Sequence, residues 1–267
     1  MLRDELLAIF ERYDIHPRKR MSQSFLVDER VIEKEVDYAE VDGKEVLEIG
    51  PGVGFLTRAL AERAGKVVAV EKDGRLARLL QDSMPESVEV IEADFLKYNV
   101  KKAEVIVSNV PYSISSPLLF KIAEMDFERA VLCFQEEFAR RMVAKSGSSE
   151  YSRLSVMSQL SFEPRILQKV SRGCFFPVPR VDSALVLLKP KGKKVDELSG
   201  RLINFIFQHR NRTVRSALVS SSRNLGIEKR ELMQLAEQLP FRERRVISLT
   251  LEEIMELVGK KELRGKL

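Results

Sequence analysis

Between residues 45 and 134 the chain repeats one pattern that leaves few folds open: a short apolar run, an amphipathic or polar stretch, then another apolar run. The runs are Glu45 to Ile49, Lys66 to Val70, Val88 to Ile91, Glu104 to Ser108 and Arg129 to Phe134. Strands that are nearly all apolar are covered on both faces, which is the property of a parallel sheet sandwiched between helices. The stretches from about Phe55 to Arg63 and from Gly74 to Ser83 have helical spacing, and Pro85 breaks the second. Upstream, helices are predicted over Asp4 to Tyr13 and from Asp28 to about Tyr38, with Asp28 as the N-cap of the latter.

After Phe162 the rhythm changes. Arg165 to Val170 and Asp182 to Leu188 read as two further strands, joined by a connection that holds Pro177 and Pro179 and no helix. These two are expected to be antiparallel neighbours at an edge of the sheet, giving seven strands, mostly parallel. The polar stretch from Lys189 to Lys194 reads as a linker, and Val195 to Leu267 has helical periodicity throughout. The expected organisation is an α/β domain over 1–190 with a basic N-terminal extension, followed by a small all-helical domain over 191–267.

Composition narrows the chemistry. With 44% hydrophobic and 32% charged residues the chain can build a sizeable core. A net charge of +5 suits a polyanionic partner without establishing one. Cys133 and Cys174 each lie in an apolar stretch and read as reduced thiols; His16 and His209 are the only histidines. No metal-ligand spacing occurs, so no metal is expected. Charges at Arg3 and Asp4 stand where a leader needs an apolar run, and no stretch reaches membrane-span length. The expectation is a cytoplasmic protein with no membrane contact.

Glu48-Ile49-Gly50-Pro51-Gly52-Val53-Gly54 lies between a predicted strand and a predicted helix. Glycines there let the backbone turn tightly against a ligand at a helix N-terminus. The spacing is G-x-G-x-G rather than that of the dinucleotide fingerprint, and Pro51 removes a donor that a pyrophosphate would use. Glu71 ends the next strand, 21 positions after Gly50, where an acid can accept both hydroxyls of a ribose. Asp94 follows the third strand, where a carboxylate can receive an adenine amine. Three such features at successive strand ends point to a nucleoside-bearing cofactor.

The fourth strand runs into Asn109-Val110-Pro111-Tyr112. An exocyclic aryl amine is a poor nucleophile because its lone pair is delocalised into the ring. Acceptors that take its N–H protons favour a pyramidal nitrogen whose lone pair faces an electrophile, and the Asn109 side-chain carbonyl and the Val110 backbone carbonyl are candidates. Tyr112 offers a ring on which a base can stack, worth about 1–3 kcal/mol. In isolation the tetrapeptide also fits a plain Asn-capped turn.

With these motifs in order, the sequence closely resembles the rRNA adenine dimethyltransferases, which dimethylate two adjacent adenosines near the 3′ end of small-subunit rRNA. The resemblance runs from about Arg18 to the C-terminus. It is carried by Ser22 to Leu26, Glu48 to Gly54, Asn109 to Tyr112, Tyr151 to Val156, Phe175 to Ala184 and Phe207 to Arg215. It implies a Rossmann-like class I methyltransferase fold, S-adenosylmethionine as cofactor, and monomeric action on small-subunit rRNA in a pre-ribosomal particle. It also implies that Ser24, Leu26, Gly50, Glu71, Asp94 and Asn109 line the cofactor pocket. Phe175 would stack on the target adenine opposite Tyr112, so Asn109, Tyr112 and Phe175 are the catalytic candidates. The family usually has Gly and Asn where Ser22 and Ser24 stand, and Gly where Ser152 stands.

Arg18, Lys19 and Arg20 precede the cofactor motif, and Arg210, Arg212 and Arg215 lie in a segment read as two turns of one helix. Both clusters are candidates for phosphate contact, because RNA read by shape is held through its backbone. The second cluster serves equally well as a brace for the helical domain. Two other functions stay open at this level: methylation of DNA adenine, which uses a similar loop, and a binding or assembly role in small-subunit maturation.

Overall fold

The computed structural model describes residues 1–15, 23–192 and 194–265. The chain forms two compact units, one of Met1–Ala139 with Phe162–Pro190, the other of Arg140–Ser161 with Lys191–Leu267.

The first unit opens with helix α1 (Leu2–Arg12), the two-residue strand β1 (Phe25–Leu26) and helix α2 (Glu29–Ala39). Asp28 caps α2 by accepting from the N–H groups of Arg30 and Val31 at 3.1 and 3.4 Å. There follow β2 (Glu45–Ile49), α3 (Phe55–Ala61), β3 (Lys66–Glu71), α4 (Gly74–Ser83), β4 (Val88–Glu92), β5 (Val105–Asn109), α5 (Ser115–Ile122), β6 (Arg129–Gln135) and α6 (Glu136–Met142). After α7 (Arg153–Ser161), which belongs to the second unit, come β7 (Phe162–Val170), β8 (Phe175–Phe176) and β9 (Ser183–Pro190).

Seven strands form one sheet in the order β4-β3-β2-β5-β6-β9-β7. Pairing is parallel from β4 through to β6, and β9 runs antiparallel to both β6 and β7. The two late strands are thus the antiparallel edge pair that the proline-containing connection implied. Strand order reverses direction between the paired strands β2 and β5, so the connections that follow them lead to opposite sides and leave a crevice at their carboxyl ends, where open α/β sheets bind ligands. The strand interiors are closed to water: Val46, Val67, Ala69, Val105, Ile106 and Val107 are all fully buried.

One pairing has no counterpart in the sequence reading. β1 and β8 form a separate antiparallel ribbon, Phe25 opposite Phe176 and Leu26 opposite Phe175. The Val27 N–H donates to the Cys174 carbonyl at 2.8 Å and extends it.

The second unit is helical: α7, then α8 (Glu197–Phe207), α9 (Val214–Ser220), α10 (Ser222–Leu225), α11 (Lys229–Glu237), α12 (Leu251–Val258) and α13 (Lys261–Arg264). Asp196 and Thr213 cap α8 and α9, and Thr250 with Glu253 makes a reciprocal capping box on α12. Its core gathers Tyr151, Val156, Leu202, Ile206, Val214, Leu232 and Leu257.

Two sequence expectations change here. A single cut after residue 190 leaves 140–161 in the first domain, whereas this segment packs with the later helices. Tyr151 and Val156 enter their core, and the Gln159 amide donates to the Met142 and Ala144 carbonyls at 2.9 and 2.8 Å. Second, Arg210, Arg212 and Arg215 do not share a helix. α8 stops at Phe207 and α9 restarts at Val214, because Thr213 accepts from the Ser216 N–H as a fresh cap. Among the described residues no helix is long and apolar enough to cross a membrane.

Candidate active site

The crevice between β2 and β5 is floored by the glycine turn. Gly52 sits at φ 63°, and a Cβ there would lie 3.1 Å from the Phe25 ring, so a side chain would meet both backbone strain and β1. Gly54 starts α3 at φ 90°, and a Cβ would strike the Met84 methyl at 2.5 Å and Leu80 at 2.6 Å. The turn is thereby pressed close to its neighbours, as a backbone-lined ligand site requires.

Glu71 ends β3 with 6% of its surface exposed. It accepts from the Gly52 N–H at 3.0 Å and from the Asp73 N–H at 2.8 Å. Burial raises its pKa, and those backbone donors pull it back. The acid thus ties the glycine turn to the next strand end while its remaining lone pairs stay available to a ligand. Asp94 is held differently: Lys72 lies 2.8 Å from it and the Leu96 N–H donates at 3.1 Å, which lowers its pKa.

Asn109 closes β5. Its amide Nδ2 donates to Glu35 Oε2 at 3.3 Å, while its carbonyl Oδ1 is buried with no hydrogen-bond partner among the described residues. Pro111 then leads into a 3-10 turn, Tyr112–Ile114. The Tyr112 hydroxyl shares a 2.8 Å hydrogen bond with Ser183 Oγ at the start of β9, and burial raises its pKa. That bond fixes a half-buried ring beside the crevice.

All six cofactor candidates, Ser24, Leu26, Gly50, Glu71, Asp94 and Asn109, line one cavity, together with Glu48, Phe95 and Pro111. Ser24 contributes to a latch: its hydroxyl donates to the Pro177 carbonyl at 2.5 Å and joins the β1 strand to the proline-rich connection. Tyr112 is not among the lining residues, although its neighbours Pro111, Ser113 and Ile114 are.

Phe175 is placed otherwise than expected. It is 4% exposed, belongs to the apolar core of the first unit and pairs with Leu26 on the ribbon. Alternation along the two-residue strand turns Phe175 inward and leaves Phe176 half-buried under the Arg3 guanidinium at 5.1 Å. In this structure Phe175 packs in the apolar core.

The arginines of the second unit are engaged within it. Arg210 donates to the Tyr151 carbonyl, Arg212 to Ser220 Oγ at 2.7 Å, and Arg215 pairs with Glu237 at 3.1 Å and Glu243 at 3.8 Å. Arg18, Lys19 and Arg20 lie outside the described residues.

Two acids were missed from sequence. Glu48 in β2 is 1% exposed and Glu35 in α2 is 0% exposed, and burial pushes each carboxyl up to about 8. Glu48 Oε2 and Glu35 Oε1 have no hydrogen-bond partner. The signal was available: each is an acid set in an otherwise apolar, core-facing pattern. A buried acceptor left unpaired costs about 1–3 kcal/mol, so its retention calls for a ligand or a role.

The donor set fits S-adenosylmethionine. Glu48, Glu71 and Asp94, with Lys72 beside Asp94, line the cavity with oxygen acceptors for ribose hydroxyls and an adenine amine, and Leu26, Ile49 and Phe95 offer apolar surface for a ring. The orphaned oxygens of Glu48 and Asn109 lie in the same wall.

A family model described as ribosomal RNA adenine dimethylase matches residues 15–252. Probable ribosomal RNA small subunit methyltransferase A of Thermococcus kodakarensis is 45% identical over 263 residues, covering 96% of this chain and 94% of the relative. The protein of the same name from Methanopyrus kandleri is 42% identical over 95% of each chain. Among solved structures, a dimethyladenosine transferase from Plasmodium falciparum superposes with a TM-score of 0.76 at 30% identity, covering 91% of this chain and 98% of that one. The 23S rRNA methyltransferase ErmE gives 0.63 at 28% identity, covering 90% and 99%. With its motifs gathered at one crevice and near full-length relatives of this kind, the chain belongs to the ribosomal RNA adenine dimethylase family of S-adenosylmethionine-dependent methyltransferases.

Proposed function

We propose that this chain dimethylates the N6 amines of two adjacent adenosines near the 3′ end of small-subunit rRNA, acting as a cytoplasmic monomer on a pre-ribosomal particle. The observation that carries the reading is the buried, partnerless Asn109 carbonyl at the end of β5, in the wall of the acid-lined cavity. The small-subunit target is supported by relatives of that name that match nearly the whole chain.

Bound S-adenosylmethionine supplies a methyl group made electrophilic by a sulfonium. The chain's own residues hold and orient. Glu71 would accept ribose hydroxyls and Asp94 the adenine amine, and Glu48 would offer its unpaired oxygen to the cofactor. Asn109 Oδ1 accepts an N–H of the target amine, holding its nitrogen pyramidal with the lone pair toward the methyl donor. Tyr112, fixed by Ser183, gives the extruded base a face to stack on. No strong acid is needed, because protonating the amine would remove the nucleophile. Catalysis is then orientation and electrostatics.

The test is mass mapping of modified nucleosides in RNA from immature ribosomal particles incubated with the protein and labelled cofactor. Dimethyladenosine at two adjacent small-subunit positions is expected, with Asn109→Ala slower by about 10²–10³-fold, the cost of removing one such polar group. Label in large-subunit RNA or in DNA, and none in small-subunit RNA, would overturn the assignment.

A further inference from the structure

Glu35 stands where an acid is out of place. The buried face of α2 consists of Val31, Ile32, Val36 and Ala39, and Glu35 is the one charged residue on it, with no exposed surface. A leucine would pack there without the cost of desolvating a carboxyl. Its surroundings add to that cost. Glu48 on β2 repels its charge, and its own charge raises the pKa of the buried Cys133 thiol on β6. The polar group that meets it is the Asn109 amide on β5, at 3.3 Å. Glu35 is not among the residues lining the cavity.

The geometry of that contact matters because an amide has two ends of similar shape and opposite character. With Oδ1 toward the cavity, Asn109 accepts from an amine; with Nδ2 there, it donates toward an amine whose own N–H groups also donate. Glu35 Oε2 is the acceptor on the far side, whether the carboxyl is ionised or holds its proton on the other oxygen, Oε1, and an acceptor there selects Nδ2. The carbonyl is left with no hydrogen-bond partner among the described residues. A hydrophobic residue at 35 would select neither end.

From this we infer that Glu35 is a positioning residue for methyl transfer: it locks the Asn109 side chain in the rotamer whose carbonyl faces the target amine. The inference rests on the proposed role of Asn109. Glu35 touches neither cofactor nor base and acts through that one hydrogen bond.

Glu35→Leu removes the acceptor, and Glu35→Gln keeps a carbonyl that can still receive Nδ2–H. In single-turnover assays with the whole protein, Glu35→Leu should lose roughly 10–100-fold in transfer rate, the scale of a small misplacement at a reacting centre. Its affinities for S-adenosylmethionine and RNA should stay at parental values, and Glu35→Gln should recover most of the rate. In an Asn109→Ala background, Glu35→Leu should cost nothing further. A second readout needs no chemistry: in 15N-labelled protein the Asn109 side-chain amide protons should exchange slowly in the parent and in Glu35→Gln, and fast in Glu35→Leu. Parental transfer rates in Glu35→Leu, or an equal loss when Asn109 is already alanine, would overturn the inference. Unchanged exchange at Asn109 would overturn it even if the parent proved not to methylate adenine, an outcome that would by itself defeat only the proposed function.

Discussion

The acids at the crevice of the first unit and those of the second are held in different ways. In the first, Glu35 on α2, Glu48 in β2 and Glu71 at the end of β3 are buried at 0, 1 and 6% exposure, and two of them keep an oxygen without a partner among the described residues. In the second, acids stand at the surface in pairs: Asp196 with Arg264 at 2.9 Å, Glu253 with Arg244 and the α12 cap, Glu237 with Arg215 and Arg242. The pKa directions follow. Burial pushes Glu35 and Glu48 up, whereas hydrogen bonds from Arg264 and from the Thr250 N–H hold Asp196 and Glu253 down. Paired surface charge fixes helix ends at little gain or cost. A buried carboxyl with an unpaired oxygen costs stability and is kept where a ligand or a role offsets that cost.

Replacing Phe175 strains that contrast most. As a core residue it should lose about 3–5 kcal/mol of stability on truncation to alanine, read by denaturant titration, with transfer per folded molecule unchanged. A stable variant that methylates slowly and accumulates monomethyladenosine would return Phe175 to the stacking role. Next in size is Glu71→Ala, which should weaken S-adenosylmethionine binding by about 1–3 kcal/mol through loss of charge-assisted bonds. Calorimetry with a chelator present measures it, and an unchanged affinity would reduce Glu71 to a tie for the glycine turn. The smallest effect belongs to Arg215→Ala, whose 40%-exposed ion pairs should contribute under about 1 kcal/mol. The salt dependence of RNA binding should not move. A slope lower by about one would instead make Arg215 a phosphate contact and blur the distinction between the units.

Much of the fold was legible locally. The bounds of β2 and α4 and the Asp28 cap came directly from periodicity and capping chemistry. That Gly50, Glu71, Asp94 and Asn109 would share one cavity was legible too, because a sheet of this order brings the ends of its strands together whatever the connecting helices contain, whereas Ser24 and Leu26 were expected there only from the family resemblance. The arginines at 210, 212 and 215 were not, since a density of charge says nothing about whether a carboxylate or carbonyl waits across the fold. Nor was Glu35: helical spacing marks a core face but does not reveal which strand residue meets it.

The sequence by itself determined what depends on neighbours along the chain: strand and helix order, the glycine turn, the Asn109 loop, and hence the family's chemistry. Only the tertiary structure decided what depends on partners far apart. It paired Phe175 with Leu26 and so buried the ring, set the Glu35 carboxyl against the Asn109 amide, and gathered 140–161 into the helical core. The physical reason is that backbone conformation follows local sterics and hydrogen bonding, whereas burial and the partner of a polar group are set by whichever distant segment fills the adjacent space.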